Sequence, residues 1–162
     1  RPGAMEVAIE LNSLSKSFNM AGWRVGMLCG KTATIQAVLK VKSNMDSGMF
    51  FGVQQGAIAA LQAEESWFES LNTIYRKRRK LVEKLATKLG AEFDPESVGL
   101  FVWAKLPKGA GDAEVFIDKI LQEQHIFITP GTIFGSQGEG YIRFSLCVPE
   151  ATIEDAIKRI ES

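Results

Sequence analysis

Apolar and polar positions change period several times along the chain. Over 5–11, Val7, Ile9 and Leu11 alternate with Glu6, Ala8 and Glu10, and a period of two predicts a strand with one buried face. The short apolar run 24–29 predicts a second, buried strand, closed by Gly30. Helical spacing follows: Ile35, Val38, Leu39 and Val41 predict a helix over 34–42. A turn-rich break at 43–48 interrupts it, and 50–62 resumes a helix-like pattern whose alanines imply close packing. The longest periodic segment is 64–89. Trp67, Phe68, Leu71, Ile74, Leu81, Val82, Leu85 and Leu89 form one stripe at steps of three and four, which predicts a long amphipathic helix stopped by Gly90.

Beyond Gly90 the pattern becomes β-like. A strand is predicted over 99–106, bounded by Pro107 and the turn Gly109-Ala110-Gly111. Asp112 is placed to cap a helix through Gln124 that carries Val115, Phe116, Ile120 and Leu121. Short strands at 125–129 and 141–148 follow, then a helix over 152–160. This order predicts a small α+β layer with its helices on one face of a short sheet.

Composition narrows the function classes. The chain has 162 residues, 46% hydrophobic and 23% charged, as in a soluble globular protein, and its formal net charge is zero. No overall field draws it to nucleic acid or to an anionic membrane, so neither is expected as a partner. The sequence shows no apolar run of about 18 residues and no charged-then-apolar leader, so a cytoplasmic location is expected. Cys29 and Cys147 are too few for a disulfide framework, and with His125 as the one imidazole no zinc site of the usual spacing is expected. Arg76-Lys77-Arg78-Arg79-Lys80 reads as a solvated helix face, since a helix spreads consecutive residues around its circumference. Gly26-Met27-Leu28-Cys29-Gly30-Lys31-Thr32 approaches a P-loop but has three residues between its glycines where that loop needs four.

The chemistry concentrates in 13–26, Ser13-Leu14-Ser15-Lys16 through Gly22-Trp23-Arg24-Val25-Gly26. A lysine amine forms a Schiff base with an aldehyde. Ser13 and Ser15, expected on the same side of an extended backbone, flank Lys16, and Arg24 returns with a planar cation suited to phosphate. Together they describe a site for a phosphorylated aldehyde.

These two motifs resemble the internal-aldimine segment of class I/II aminotransferases, pyridoxal-phosphate enzymes of fold type I. A second segment, Pro130-Gly131-Thr132-Ile133-Phe134-Gly135 followed by Tyr141-Ile142-Arg143-Phe144-Ser145, is similar to the same family's C-terminal signature. The likeness covers nearly the whole chain. It implies an α/β fold, the C-terminal part of a fold type I enzyme: residues 1–63 end a large, mainly parallel-sheet domain, and 64–162 form the linking helix and a small α+β domain. It implies pyridoxal 5'-phosphate as cofactor, Lys16 as the catalytic lysine, and Ser13, Ser15, Lys16 and Arg24 as cofactor-binding residues. Arg143, on a strand face with Tyr141, Ser145 and Cys147, becomes the receptor of the substrate α-carboxylate.

The implied reaction moves an amino group between an amino acid and a 2-oxo acid, in the manner of aspartate-type or LL-diaminopimelate-type aminotransferases. A homodimer is implied for the full-length enzyme, with Met49, Phe50 and Phe51 either lining a pocket shared across it or simply belonging to the core. In that family the groups that hold the pyridine ring lie upstream of the lysine. Only 15 residues precede Lys16 here, so the chain reads as the C-terminal part of a longer enzyme and is expected to be inactive alone. Other fold type I lyases or synthases, the ligand-sensing domain of a transcription regulator, and a unit that serves only folding and dimerisation remain as alternatives.

Overall fold

The computed structural model describes residues 1–161, arranged in two compact units, Arg1–Glu65 and Ser66–Ser162. The first unit begins with a one-turn helix, α1 (Ala4–Val7), followed by β1 (Ile9–Ser13) and a second single turn, α2 (Leu14–Ser17). A 3₁₀ turn at Ala21–Trp23 leads to β2 (Gly26–Gly30), and then come α3 (Thr32–Lys42) and α4 (Phe51–Leu61). β1 and β2 pair antiparallel, with Ser13 opposite Gly26 and Ile9 opposite Gly30.

The strand expected over 5–11 is therefore displaced toward the C-terminus, and its start is helical. Nor does it bury a face. All five β1 residues are exposed, because the ladder has two strands and no other described element covers Ile9 or Leu11. The small core of this unit lies elsewhere: Leu14, Met20 and Val25 are buried together, with Phe18, Val53, Ala57 and Ala60 packed around them.

The helix α5 (Glu65–Lys88) carries the chain into the second unit, which continues with β3 (Glu92–Phe93), β4 (Phe101–Lys105), α6 (Ala113–Gln124), β5 (Thr129–Pro130), β6 (Tyr141–Ser145) and α7 (Glu150–Glu161). The sheet order is β3-β4-β6-β5, antiparallel throughout. Alternation decides its faces. Val102 and Ala104 of β4 and Ile142 and Phe144 of β6 share a core with Val82, Leu85 and Ala86 of α5, Ile117 and Ile120 of α6, and Ile153 and Ile157 of α7. The opposite face carries Phe101, Trp103, Tyr141 and Arg143, all at least partly accessible.

Three expectations change here. The stripe on α5 is buried only in its C-terminal half; Trp67 and Ile74 are exposed. The strand expected over 125–129 contracts to Thr129–Pro130, because His125 adopts left-handed backbone (φ 54°) and ends α6, its N–H donating to the Leu121 carbonyl at 3.0 Å. The basic run is not one solvated face. Arg78 donates to Glu150 Oε1 at 2.6 Å and to the Leu146 carbonyl at 3.2 Å. Arg79 donates to the carbonyls of Gly99 (2.9 Å) and Phe101 (3.3 Å) and to Ser97 Oγ (3.3 Å). Both side chains thus tie α5 to the segments flanking the sheet, and Arg76, Lys77 and Lys80 remain exposed.

Candidate active site

The first constellation gathers where β1 and β2 end together. Ser13, the last residue of β1, is the N-cap of α2: its Oγ accepts the Ser15 N–H at 3.1 Å and donates to Ser15 Oγ at 2.9 Å. Ser15 and Lys16 therefore sit on a helical turn and not on the extended backbone expected for them. The consequence for chemistry is favourable. The paired hydroxyls occupy one spot, the Ser15 proton is left to donate outward, and the exposed Lys16 lies one residue further along the same turn.

Arg24 is brought to this end by register. With Ser13 opposite Gly26, the turn before β2 abuts the turn after β1, and the Leu14 N–H donates to the Val25 carbonyl at 3.2 Å. A side chain at Gly26 would not fit: its Cβ would stand 2.5 Å from the Asn12 carbonyl oxygen. Arg24 itself has φ 53° and ψ 46°, left-handed backbone that costs a non-glycine residue about 1–3 kcal/mol and collects at functional sites. Its Nη1 donates to the Ala21 carbonyl at 3.0 Å, which fixes the guanidinium and leaves further N–H groups to bind.

The preceding Trp23 rests on α4 where that helix has no side chain, since a Cβ on Gly56 would fall 2.3 Å from the indole. The small residues of α4 thus serve this contact, which the pattern alone did not assign. The set at this end is an amine, two hydroxyls and a guanidinium, all donors. That chemistry fits a ligand bearing both a phosphate and an aldehyde. Lys31, the other lysine nearby in sequence, is engaged elsewhere, paired with Glu6 at 2.5 Å.

Arg143 stands in the second unit, on the accessible face of β6. Directly across it lie Trp103 of β4 and Thr129 of β5. Trp103 stacks on Tyr141 (centroids 5.5 Å apart, planes at 18°) and meets Phe134 edge-on at 5.8 Å. The Arg143 guanidinium carbon lies 4.2 Å from the centroid of Phe101 and 4.2 Å from that of Phe134. Sequence reasoning missed this aromatic cluster. Pairing the strands at 101–105 and 141–145 in register would have placed Phe101 and Trp103 on the face of Arg143, but single-strand periodicity does not give register.

Among the described residues no group of His, Cys, Asp and Glu is placed to hold a metal ion, and no helix is long and apolar enough to cross a membrane.

Comparison with known proteins places the chain in a family. The family described as aminotransferase class I and II matches residues 3–160. The LL-diaminopimelate aminotransferase of Oleidesulfovibrio alaskensis is 45% identical over 161 residues, covering 99% of this chain and 41% of that protein. Its counterpart in Aquifex aeolicus is 42% identical with the same coverage. Among solved structures, an aromatic aminotransferase from Pyrococcus horikoshii superposes with a TM-score of 0.89 at 29% identity, over 99% of this chain and 44% of the other. An aminotransferase from Staphylococcus aureus gives 0.85 at 34%, over 98% and 42%. The chain spans about two fifths of the length of the curated relatives it matches. Its fold is the α/β fold of fold type I aminotransferases, over the C-terminal part of those structures, and the chain belongs to the aminotransferase class I and II family.

Proposed function

We propose that these residues work in a pyridoxal-phosphate-dependent transamination, which passes an amino group from an amino acid to a 2-oxo acid. The observation that carries this reading is the convergence of Lys16, Ser13, Ser15 and Arg24 on one end of the β1–β2 pair. When bound, the cofactor supplies an aldehyde carbon for amines and a conjugated ring that takes up the electron pair released at the substrate Cα.

The protein's own residues divide the remaining work. Lys16 Nζ would hold the aldehyde carbon, and its amine would serve as general base and acid for the substrate Cα proton. The Ser13 and Ser15 hydroxyls and the Arg24 guanidinium hold the phosphate, so that the reacting end is fixed by its opposite end. Arg143 receives the α-carboxylate in a bidentate pair and orients the amino acid.

The names of the relatives favour a donor of the diaminopimelate kind, and the proposal places the complete enzyme in the cytoplasm as a homodimer. Catalysis is expected of the complete enzyme and not of residues 1–162 alone, since the first unit leaves Val7, Leu11, Phe50 and Phe51 exposed around a core of three buried residues. The test is a panel of amino acids, LL-diaminopimelate, aspartate and glutamate among them, each supplied with 2-oxoglutarate while the visible absorption of the enzyme is followed. Formation of glutamate, or of the donor's oxo acid, supports the reading. Release of carbon dioxide or of an eliminated side chain in place of amino transfer would overturn it.

A further inference from the structure

Arg143 is held in an unusual way for a cation on a sheet. Among the described residues it has no carboxylate or carbonyl partner; its contacts are the rings of Phe101 and Phe134, each with its centroid 4.2 Å from the guanidinium carbon. The difference matters chemically. An acidic neighbour would fix the side chain but occupy the same N–H donors that a carboxylate ligand needs. A π face attracts the cation as a whole and leaves those in-plane donors available.

Both rings are themselves fixed. Phe101 opens β4, and its carbonyl, with that of Gly99, accepts from Arg79 of α5. Opposite it in register is Ser145, so Phe101 is the diagonal neighbour of Arg143, within reach of a long side chain. Phe134 ends a 3₁₀ turn, Gly131–Phe134, that two glycines lock: a Cβ on Gly131 would stand 2.2 Å from the Gly138 carbonyl oxygen, and one on Gly138 would stand 1.9 Å from that of Gly131. Thr132 in the same turn donates to Glu114 of α6 at 2.9 Å. Trp103 then braces Phe134 from the side, and Tyr141 braces Trp103.

We propose that Phe101 and Phe134 are positioning residues that hold the Arg143 guanidinium ready for a carboxylate without consuming its donors. This rests on the reading of Arg143 as the carboxylate receptor. Loss of one ring leaves the charge in place but free to change rotamer, so affinity for carboxylate substrates falls through lost preorganisation while cofactor retention, which depends on the first unit, is unchanged.

In the complete enzyme, Phe134→Leu and Phe101→Leu are each expected to raise the KM for 2-oxoglutarate about tenfold, the scale of one cation–π contact. Phe134→Tyr, which keeps the ring face, should restore it, with Tm close to wild type in both Phe134 variants. A readout independent of turnover is the Arg143 Nε–H resonance in a labelled protein. Ring currents should shift it upfield, and Phe134→Leu should return it toward the ordinary arginine position. Arg143→Ala serves as reference. If it raises KM and the leucine variants do not, the receptor reading stands and the aromatic clamp is overturned. If Arg143→Ala leaves KM unchanged, the receptor reading fails and the clamp fails with it. An Nε–H resonance at the ordinary position in the wild type contradicts the clamp whatever the kinetics.

Discussion

The two units place their functional side chains on very different foundations. Arg143 stands on a sheet whose other face is sealed by three helices, beside the buried Ile142 and Phe144. Lys16 stands on a single helical turn whose support is Leu14, Met20 and Val25 packed on α4. In the same unit several large apolar side chains are exposed, up to 90% for Val7. The arginine proposed to grip the substrate is therefore built into a packed frame, and the lysine proposed to do the chemistry sits on a local element with few buried contacts. Such elements open more easily than the cores they adjoin.

The comparison breaks first in the core. Ile142→Ala empties a 0% exposed position and is expected to cost about 2–5 kcal/mol. Leu14→Ala, at 1% exposed, should cost less of the global stability, because its cluster is small. Urea unfolding followed by near-ultraviolet circular dichroism measures both, and equal losses would contradict the division. Next in size, Arg143→Ala should weaken amino-acid and oxo-acid binding by roughly 2–5 kcal/mol with cofactor loading intact. Arg24→Ala should do the reverse. Titration of each variant with cofactor and with 2-oxoglutarate separates the two effects.

A smaller effect is expected in the first unit. Gly56→Ala pushes a methyl into the Trp23 indole and should cost about 1–3 kcal/mol by overpacking. Trp23 fluorescence should shift, and cofactor retention should weaken through the displaced Arg24 turn. The smallest effect concerns acid. Arg78, by hydrogen bond and charge, holds the Glu150 carboxyl below its usual range against the opposing effect of desolvation. A carboxyl with a depressed folded pKa contributes stability that is present above its unfolded value and lost as pH falls through the folded one. Glu150→Gln should therefore flatten the acid limb of the stability profile of the second unit and leave the neutral range nearly unchanged.

Much of this was legible in the sequence. Periodicity located α3, α4, α5, α6 and α7, and it set Tyr141, Arg143 and Ser145 on one face of β6, opposite the buried Ile142 and Phe144. It failed where burial is set by partners and not by pattern. Ile9 and Leu11 alternate as if one face were covered, yet both are exposed because the ladder has two strands. At the site, the residue types of Lys16, Ser13, Ser15 and Arg24 carried the signal. What they did not carry was the α2 turn, set by the Ser13 cap, or the left-handed Arg24. The aromatic contacts of Arg143 depend on a register between 101–105 and 141–145 that neither strand encodes by itself. Arg79 looked like one member of a charged run, and only the fold shows its guanidinium turned to the backbone of Phe101.

Lys16 is the residue proposed to carry the cofactor aldehyde. The most direct measurement is borohydride reduction of the cofactor-loaded enzyme, followed by proteolysis and mass mapping of the phosphopyridoxyl group. One dominant adduct is expected, on Lys16, with loss of the visible absorption on reduction. An adduct on Lys31, or on any other lysine with Lys16 unmodified, would contradict it.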